Sequence, residues 1–361
     1  METTTVTDFV SIPVFDGHND SLLMTYTPEL PQRSLLVRSD AGHIDLPRAE
    51  SGGMFGGLFA ISVAHPDQQF PDPEDTGKTD EDTSWILVDP VSPNHAKAVT
   101  DRGIREFKSI IAASGGRMAM ATTVEEILDA RERGVLSAVL HFEGAEAIDE
   151  NLDNLNDYYR QGLRSVGLVW SRENVFGHGV TFGFPGSPDT GPGLTDAGRR
   201  LVRQCNQLGI MLDLAHLNEK GFWDVERISS APLVATHSCV HVLCPSPRNL
   251  TDKQLDAIAA SNGVVGINFC VAFLREDGKN NTDTPLETMV AHFRYIADRI
   301  GVAHVAFGSD FDGASIPKVI GDVAGMPKLI DALQSDGFSR ADLEKIAWGN
   351  WMRVLGQTLK S

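Results

Sequence analysis

Eight short apolar runs recur along the chain, and each ends in a small or polar residue before a stretch of helical character. The runs occupy residues 12–20, 54–65, 135–144, 163–171, 210–216, 232–238, 263–270 and 304–313. Strands that are apolar on both faces are typical of parallel sheets covered by helices, and their alternation with helices favours a (β/α)8 barrel. The length also allows two average domains. We predict the α/β class and one (β/α)8 TIM barrel domain spanning residues 1–361.

Two sequence signals mark helix starts between these runs. Thr123 and Glu126 have the spacing of a capping box and predict a helix that ends at Gly134. Thr195 and Asp196 predict the start of another helix just before the fifth run. Both helices fall where an alternating barrel requires them.

Two segments interrupt the regular alternation of predicted strands and helices. Residues 66–95 are rich in Pro and acidic residues and follow the second run, whereas residues 171–194 are rich in Gly and Pro and follow the fourth. Long loops in a compact domain are often lids or binding loops. We expect the acidic part, 66–82, to be a solvated face, and we favour a binding role over surface decoration for 171–194.

The charge of the chain restricts its partners. The sequence holds 49 acidic and 31 basic residues, a net charge of −18. Nucleic acids and anionic membranes select for patches of Lys and Arg, so this balance argues against both. The sequence shows no secretory signal pattern and no apolar stretch of membrane-spanning length. Four cysteines are too few for a disulfide scaffold in a chain of this size, and the lack of a CxxC pair argues against a structural cysteine-zinc site. We expect a soluble, cytoplasmic protein, with a homodimer left open.

Chemically capable side chains gather at the carboxyl ends of the predicted strands, where barrel enzymes place their active sites. They are His18, Asp20, Glu143, His216, His237 and Asp310. Each alone has an ordinary structural explanation, as a turn acid, a helix cap or a buried histidine. Together they would bury three carboxylates near one axis, at a cost of several kcal/mol per charge unless a cation compensates. Imidazole and carboxylate are ligands that suit zinc. The set therefore predicts a metal site.

The number of candidate ligands favours two ions over one. His18 and Asp20 share one strand face, because side chains alternate along a strand, and they suit a first ion. His216 and His237 suit a second ion, with Glu143 bridging the two. Paired metals can deprotonate a water and polarise a carbonyl. Asp310 is left to act as the acid/base that moves the proton to the leaving group.

The residues around these candidates resemble those of a known family. The segments VFDGHND, HFEGAEAID, DLAHLNEKGFWDV, THSCVHVLCPSPRNL and FGSDFDG are similar to those of the membrane (renal) dipeptidases and their bacterial relatives. The likeness extends from about residue 12 to the GNWMRVL segment near the C-terminus. It implies a barrel that hydrolyses dipeptides and tolerates a D-residue at the C-terminal position. It also implies two zinc ions on the five candidate ligands, with Asp310 as acid/base.

The resemblance adds a residue for substrate binding. Arg248, in the segment SPRNL, is similar to the arginine that grips the free carboxylate of the dipeptide. A planar guanidinium suits a carboxylate, because it donates two parallel hydrogen bonds. The simpler explanation is a surface arginine that pairs with one of the many acids of this chain.

One position departs from the mammalian members of the family. Trp170 stands where they carry a histidine thought to polarise the scissile carbonyl. Trp donates one N–H but cannot become cationic, so carbonyl activation would depend on the metals or on another residue such as His178. We expect a different substrate range rather than inactivity. His141 is expected in the core, and His241 and Asp312 are expected beside the site rather than among its ligands.

We therefore predict a zinc-dependent dipeptidase in which a hydroxide bridging two zinc ions attacks the peptide bond of L–L and L–D dipeptides. The alternatives are another amidohydrolase activity, such as an N-acyl-amino-acid deacylase or a lactonase, and a metal-binding protein without turnover. Arg248 bears on the first alternative, because a substrate without a free carboxylate would not need it. A structural zinc site needs no proton shuttle, so Asp310 argues against the second.

Overall fold

The computed structural model describes residues 12–68 and 88–360. Its strands, in chain order, are β1 (Val14–Asn19), β2 (Met54–Ser62), β3 (Met118–Met120), β4 (Leu136–Glu143), β5 (Leu163–Gly167), β6 (Glu173–Asn174), β7 (Gly177–His178), β8 (Met211–Asp213), β9 (Val234–Ala235), β10 (Val264–Ile267) and β11 (Val305–Phe307). Eight of these strands coincide with the eight apolar runs of the sequence.

The eight strands pair in parallel in the order β1-β2-β4-β5-β8-β9-β10-β11. A parallel bridge between Asn19 and Phe311 joins the first strand to the chain just after the last and closes the barrel. The predicted α/β class and barrel are confirmed. A strand that the sequence did not predict, β3, lies off this path and pairs with β4.

The helices follow the strands around the barrel. They are α1 (Leu23–Tyr26), α2 (Leu46–Ser51), α3 (Pro93–Ala113), α4 (Val124–Glu132), α5 (Leu155–Gln161), α6 (Asp196–Leu208), α7 (Glu219–Ile228), α8 (Asp252–Ala260), α9 (Val271–Leu274), α10 (Leu286–Ile300), α11 (Met326–Ser335), α12 (Arg340–Glu344) and α13 (Asn350–Thr358). Short 3-10 turns cover Val302–His304 and Val323–Gly325, and a π-helical segment, Lys345–Gly349, joins α12 to α13.

Both predicted helix starts are present. Thr123 caps α4 by accepting a hydrogen bond from the Glu126 N–H at 3.2 Å. The return bond of the expected capping box is displaced by one residue, because the Glu126 carboxylate accepts from the Thr122 N–H at 2.6 Å instead. Thr195 caps α6 in the same way, and that helix ends at Gly209 in the left-handed conformation. Local sequence is thus sufficient to place these boundaries.

The two predicted insertions differ in what the structure shows. Residues 69–87 of the first lie outside the described residues, so the expected solvated face at 66–82 stays a prediction over most of its length. The end of this insertion, from Pro93, is the first turn of α3. The second insertion holds a small antiparallel hairpin of β6 and β7.

The barrel interior is closed on one side by the C-terminal helix. Trp351, at the start of α13, is fully buried and donates its indole N–H to the Phe307 carbonyl at 2.9 Å. Its ring lies directly against Gly17, where a Cβ atom would collide with it. Hydrophobic residues of seven of the eight barrel strands pack around this helix, which leaves the carboxyl ends of the strands to form the site. No helix within the described residues is long and apolar enough to cross a membrane.

Candidate metal centre

The six strand-end candidates converge on one buried cluster. Among the described residues, two groups with the spacing of metal ligands share one carboxylate, that of Glu143. One group adds His18 and Asp20, and the other adds His216 and His237. Glu143 is the last residue of β4, and the other four lie at or just after the ends of β1, β8 and β9. This is the grouping predicted from the sequence, and the roles of these residues as ligands remain a proposal.

In the first group, His18 and Asp20 come from the end of β1, and Glu143 comes from the end of β4. His18 Nε2 lies 3.2 Å from Asp20 Oδ2 and 3.6 Å from Glu143 Oε1. All three side chains are almost completely buried. The other carboxylate oxygen of Asp20, Oδ1, has no hydrogen-bond partner among the described residues. A buried carboxylate oxygen without a donor is costly and is a natural position for a cation.

The second group comes from two neighbouring strands. The Nε2 atoms of His216 and His237 lie 3.0 Å apart. They lie 3.0 Å and 3.4 Å, respectively, from Glu143 Oε1. The same oxygen of Glu143 therefore lies near the imidazoles of both groups, as a bridging ligand would.

The hydrogen bonds behind the second group leave its Nε2 atoms for a cation. Thr236 donates its hydroxyl proton to Asp213 Oδ2 at 2.6 Å, so its oxygen accepts from the Nδ1–H of His237 at 2.7 Å. His216 Nδ1 and Ser171 Oγ lie 2.7 Å apart in the same way. A partner at Nδ1 directs the lone pair of the imidazole to Nε2. The donor set therefore fits a divalent cation.

The protonation states also suit metal ligands. Burial lowers the pKa of His216 to about 3 and lowers that of His237 well below its usual value. Both rings are neutral at pH 7, which is the form that binds a metal. Burial also lowers the pKa of His18, but the carboxylates of Asp20 and Glu143 outweigh it and raise the value to about 10. Positive charge is thus favoured at His18 Nε2, and a divalent cation would supply it.

Asp310 lies beside the first group, three residues after β11. Its Oδ1 atom is 4.0 Å from His18 Nε2, and its Oδ2 atom accepts a hydrogen bond from Asn268 Nδ2 at 2.8 Å. A side chain on Gly313 would collide with the carboxylates of both Asp20 and Asp310. Burial raises the pKa of the Asp310 carboxyl above its usual value. A carboxyl with a raised pKa next to a cluster of ligands is suited to moving a proton.

Two site residues have unusual backbone conformations. His216 and Asp310 have φ angles of 67° and 59°, in the left-handed region that residues other than glycine rarely adopt. Such strain persists only where the surroundings impose it, and it is concentrated at functional sites. In both cases the conformation turns a side chain into the cluster directly after a strand ends.

Arg248 lies in the loop after β9, but it is not a surface residue. Its side chain is only 3% exposed. It donates one hydrogen bond, from Nη2 to the His237 carbonyl at 3.1 Å, while its Nε–H has no partner among the described residues. No carboxylate of the described residues forms an ion pair with it. A buried guanidinium without an acid is costly unless an anionic ligand pairs with it.

Several residues that the sequence analysis placed near the site do not join the cluster. His178 pairs with Glu173 across the hairpin, with His178 Nδ1 3.3 Å from the carboxylate. The carboxylate of Asp312 pairs with Arg33. His241 donates to the Gly186 carbonyl at 2.9 Å.

His141 is buried as expected. Its Nδ1 atom lies 2.8 Å from Ser165 Oγ, and its Nε2 atom lies 3.5 Å from Asp213 Oδ2. It also belongs to a group with His18 and Asp213 that has the spacing of metal ligands. His141 and Asp213 therefore connect His18, of the first group, with His237, of the second.

Four residues that the sequence patterns did not single out hold the candidates in place. Asn268 holds Asp310, Asp213 holds His237 through Thr236, and Ser171 lies against His216. Asn268 and Asp213 also lie at strand ends, so an amide or a second acid at the end of a predicted strand is the sequence signal that identifies them.

A sequence model of the family described as Membrane dipeptidase (Peptidase family M19) matches residues 7–361. An uncharacterised protein encoded in the pqqA 5′ region of Klebsiella pneumoniae is 51% identical to this chain over 249 residues. That match covers 69% of this chain and 92% of the Klebsiella protein.

Solved structures show the same likeness. A metallopeptidase from Rhodobacter sphaeroides, crystallised with a phosphinate mimic of the dipeptide L-Ala-D-Ala, is 46% identical with a TM-score of 0.91. The alignment covers 96% of this chain and 99% of that one. A second structure, described as a dipeptidase and metallopeptidase of family M19, is 45% identical with a TM-score of 0.88, over 97% of this chain and 100% of that one.

Proposed function

This chain belongs to the membrane dipeptidase family, peptidase family M19, and from that premise we propose that it hydrolyses L–L and L–D dipeptides at a centre of two zinc ions bridged by Glu143. Metal-dependent hydrolysis of dipeptides is the activity of this family and of this chain. The number of ions, their identity and the role of each residue are the parts that we propose. The L–D substrates are proposed because the Rhodobacter relative binds a mimic of L-Ala-D-Ala.

One observation carries the two-ion proposal. Glu143 Oε1 lies within 3.6 Å of the Nε2 atoms of His18, His216 and His237. A carboxylate surrounded by three imidazoles, two of them neutral, suits a position between two cations. Such a pair would supply a Lewis acid for the substrate carbonyl and an acidified water for the attack.

Asp310 is proposed to move the proton. In the hydrolysis the water oxygen bonds to the carbonyl carbon, the C–N bond breaks, and a proton passes from the water to the departing amine. The Oδ1 atom of Asp310 faces His18 and the ligand cluster, while its Oδ2 atom is fixed by Asn268. Asn268 is therefore a positioning residue that leaves one oxygen of Asp310 free to accept and return the proton.

Arg248 is proposed to bind the carboxylate at the C-terminal end of the dipeptide. Its guanidinium is buried next to the ligand His237 and has no acid of this chain as a partner among the described residues. A dipeptide carboxylate would complete the ion pair and fix the distance between the arginine and the scissile bond. Because orientation of the reacting groups is a large part of catalysis, this contact also positions the carbonyl.

The decisive experiment is a substrate screen on zinc-loaded protein. The screen compares L-Ala-L-Ala and L-Ala-D-Ala with the dipeptide amide, N-acetyl-L-alanine and a simple lactone, each with and without a chelator. We expect chelator-sensitive cleavage of both dipeptides and poor cleavage of the amide. Turnover of only the N-acyl substrate or the lactone would instead identify one of the alternative amidohydrolase activities, and no turnover at all would favour a binding protein.

A further inference from the structure

Three aromatic side chains form a continuous row between the metal centre and Arg248. The ring of Trp170 lies 5.7 Å from that of His216, and the Phe182 ring lies 5.5 Å from Trp170. Phe273 stacks on Phe182 with centroids 6.5 Å apart and planes 6° apart. The Arg248 guanidinium lies 5.3 Å from the Phe273 ring. We call Trp170, Phe182 and Phe273 the aromatic row.

The row is assembled from three separate segments. Trp170 follows β5, Phe182 belongs to the insertion 171–194, and Phe273 belongs to α9. Each side chain is half-buried, whereas the hydrophobic core of the barrel is fully buried. Aromatic faces that remain partly open next to a buried charge are a usual feature of ligand pockets.

The backbone holds Phe182 at this position from both sides. On one side, the Val180 N–H donates to the carbonyl of His216 at 2.7 Å. On the other, the Gly186 N–H donates to the Pro245 carbonyl at 2.8 Å, in the loop that carries Arg248. The insertion therefore spans the gap between the loop of a ligand candidate and the loop of the carboxylate-binding candidate.

Trp170 is supported from behind by an ion pair. The Arg172 guanidinium lies 5.0 Å from the Trp170 ring and donates to Glu146 Oε1 at 2.9 Å. Both charged side chains are almost completely buried. This contact packs a buried guanidinium against the indole and restricts its movement.

A dipeptide bound between the ligand cluster and Arg248 would bring its second residue close to this row. Between the scissile carbonyl and the terminal carboxylate lie only the amide nitrogen and the Cα atom of the C-terminal residue. If the carbonyl lies at the ligands and the carboxylate lies on Arg248, that Cα lies beside the aromatic row, whose two ends contact His216 and Arg248. One substituent of this Cα then faces the rings.

Resting on the proposed function, we propose that the aromatic row is the specificity wall for the C-terminal residue of the dipeptide. The wall favours an apolar side chain, because contact with the rings removes apolar surface from water. It disfavours a C-terminal Asp or Glu, because the ring faces are electron-rich and offer no hydrogen-bond donor to replace water.

Kinetics on a substrate series test this proposal. The series is L-Ala-Xaa, with Gly, Ala, Leu, Phe and Asp as Xaa. For the zinc-loaded protein we expect kcat/KM to rise from Gly to Leu and Phe and to be lowest for Asp. In Phe182→Ala the KM for the Leu and Phe substrates should rise about 10-fold, with the Gly substrate changed by less than about 2-fold.

A matched control lies in the same insertion. Val175 is an exposed apolar residue in the turn between β6 and β7. Val175→Ala removes apolar atoms from the same segment but not from the row, and it should leave the whole series unchanged. If Phe182→Ala raises KM equally for every substrate, including Gly, the wall has no selectivity and the proposal is wrong.

Tryptophan fluorescence gives a readout that does not depend on turnover. A phosphinate dipeptide mimic with a C-terminal Leu should change the emission of the zinc-loaded protein, and Trp170→Phe should remove most of that change. An unchanged signal in Trp170→Phe would place the ligand away from the row. Failure of the proposed function would give a different result, because then no substrate of the series is cleaved.

Discussion

The Nε2 atoms of His216 and His237 lie 3.0 Å apart, and both lie within 3.4 Å of Glu143 Oε1. Because Thr236 accepts the Nδ1 proton of His237, the lone pair of that ring faces the cluster. Two nitrogen acceptors and a carboxylate oxygen at this distance repel one another. A cation between them turns the repulsion into coordination, so the geometry is stable mainly with the metal in place.

Metal removal should therefore destabilise the fold. Chelation should lower the melting temperature by about 5 °C or more, since a ligand at about 100 times its Kd stabilises by about 2.7 kcal/mol and each kcal/mol is worth about 2–4 °C. Scanning calorimetry with and without chelator, followed by zinc addition, measures the shift. In Glu143→Gln the shift should be much smaller. An unchanged melting temperature and less than one metal per chain would contradict a metal centre here.

Asp310→Asn should separate metal binding from catalysis. The amide keeps the shape of the side chain but cannot accept and return a proton, so kcat should fall by about 10²- to 10⁴-fold. Metal analysis should still find two ions per chain, because the five candidate ligands are intact. Asp283→Asn is the control, since that exposed residue pairs only with Lys318 among the described residues. Near-normal turnover of Asp310→Asn would exclude the proposed role.

The barrel and the cluster could be predicted because their signals are local in sequence. A buried parallel strand must be apolar along its whole length, which marks eight runs, and the strand ends then single out residues such as His18 and Glu143. The strands themselves are shorter than the runs. β9 covers only Val234–Ala235 within the run 232–238, because the next N–H, that of Thr236, donates to the Asp213 carboxylate at 2.9 Å and not to a neighbouring backbone.

The remaining features depend on contacts between distant segments. The bond from Asn268 to Asp310 joins residues 42 positions apart. The position of Asn268 at a strand end can be read from the sequence, but the partner of its side chain cannot. The left-handed conformation of His216 is likewise imposed by its surroundings, since a residue with a Cβ atom rarely adopts it. The aromatic row could not be predicted from the sequence, because the composition of an insertion rich in Gly and Pro does not indicate where Phe182 will lie.

Arg248→Met should weaken substrate binding without weakening the fold. Loss of charge-assisted hydrogen bonds to the carboxylate should raise KM by about 10- to 100-fold, with a smaller effect on kcat. The melting temperature without substrate should not fall, because a buried charge without an acidic partner is replaced by an apolar side chain of similar length. If Arg248 had only a structural role, the substitution would lower the melting temperature and leave KM nearly unchanged.

A dipeptide amide provides the control for this variant. The amide lacks the carboxylate, so its KM should be high for the unmodified protein and nearly the same for Arg248→Met. An equal rise of KM for the acid and for the amide would mean that Arg248 does not bind the carboxylate.

Stability at mildly acidic pH should depend on His292, which lies outside the metal centre on α10. The ring is almost completely buried. It accepts a hydrogen bond from the Val240 N–H at 3.1 Å and donates to the Leu274 carbonyl at 3.0 Å. Burial lowers the pKa of His292 from 6.5 to about 4, so the fold favours the neutral ring.

The resulting stability is fully present above pH 6.5 and is lost as the pH falls towards 4, because the unfolded chain takes up the proton first. At pH 5 this loss should be on the order of 2 kcal/mol. Urea unfolding of chelator-treated protein at pH 7.5 and pH 5 measures it, with no contribution from metal release. In His292→Gln, which keeps a donor and an acceptor but does not titrate, the pH dependence should decrease by that amount. An identical pH dependence in both proteins would show that His292 is not responsible for it.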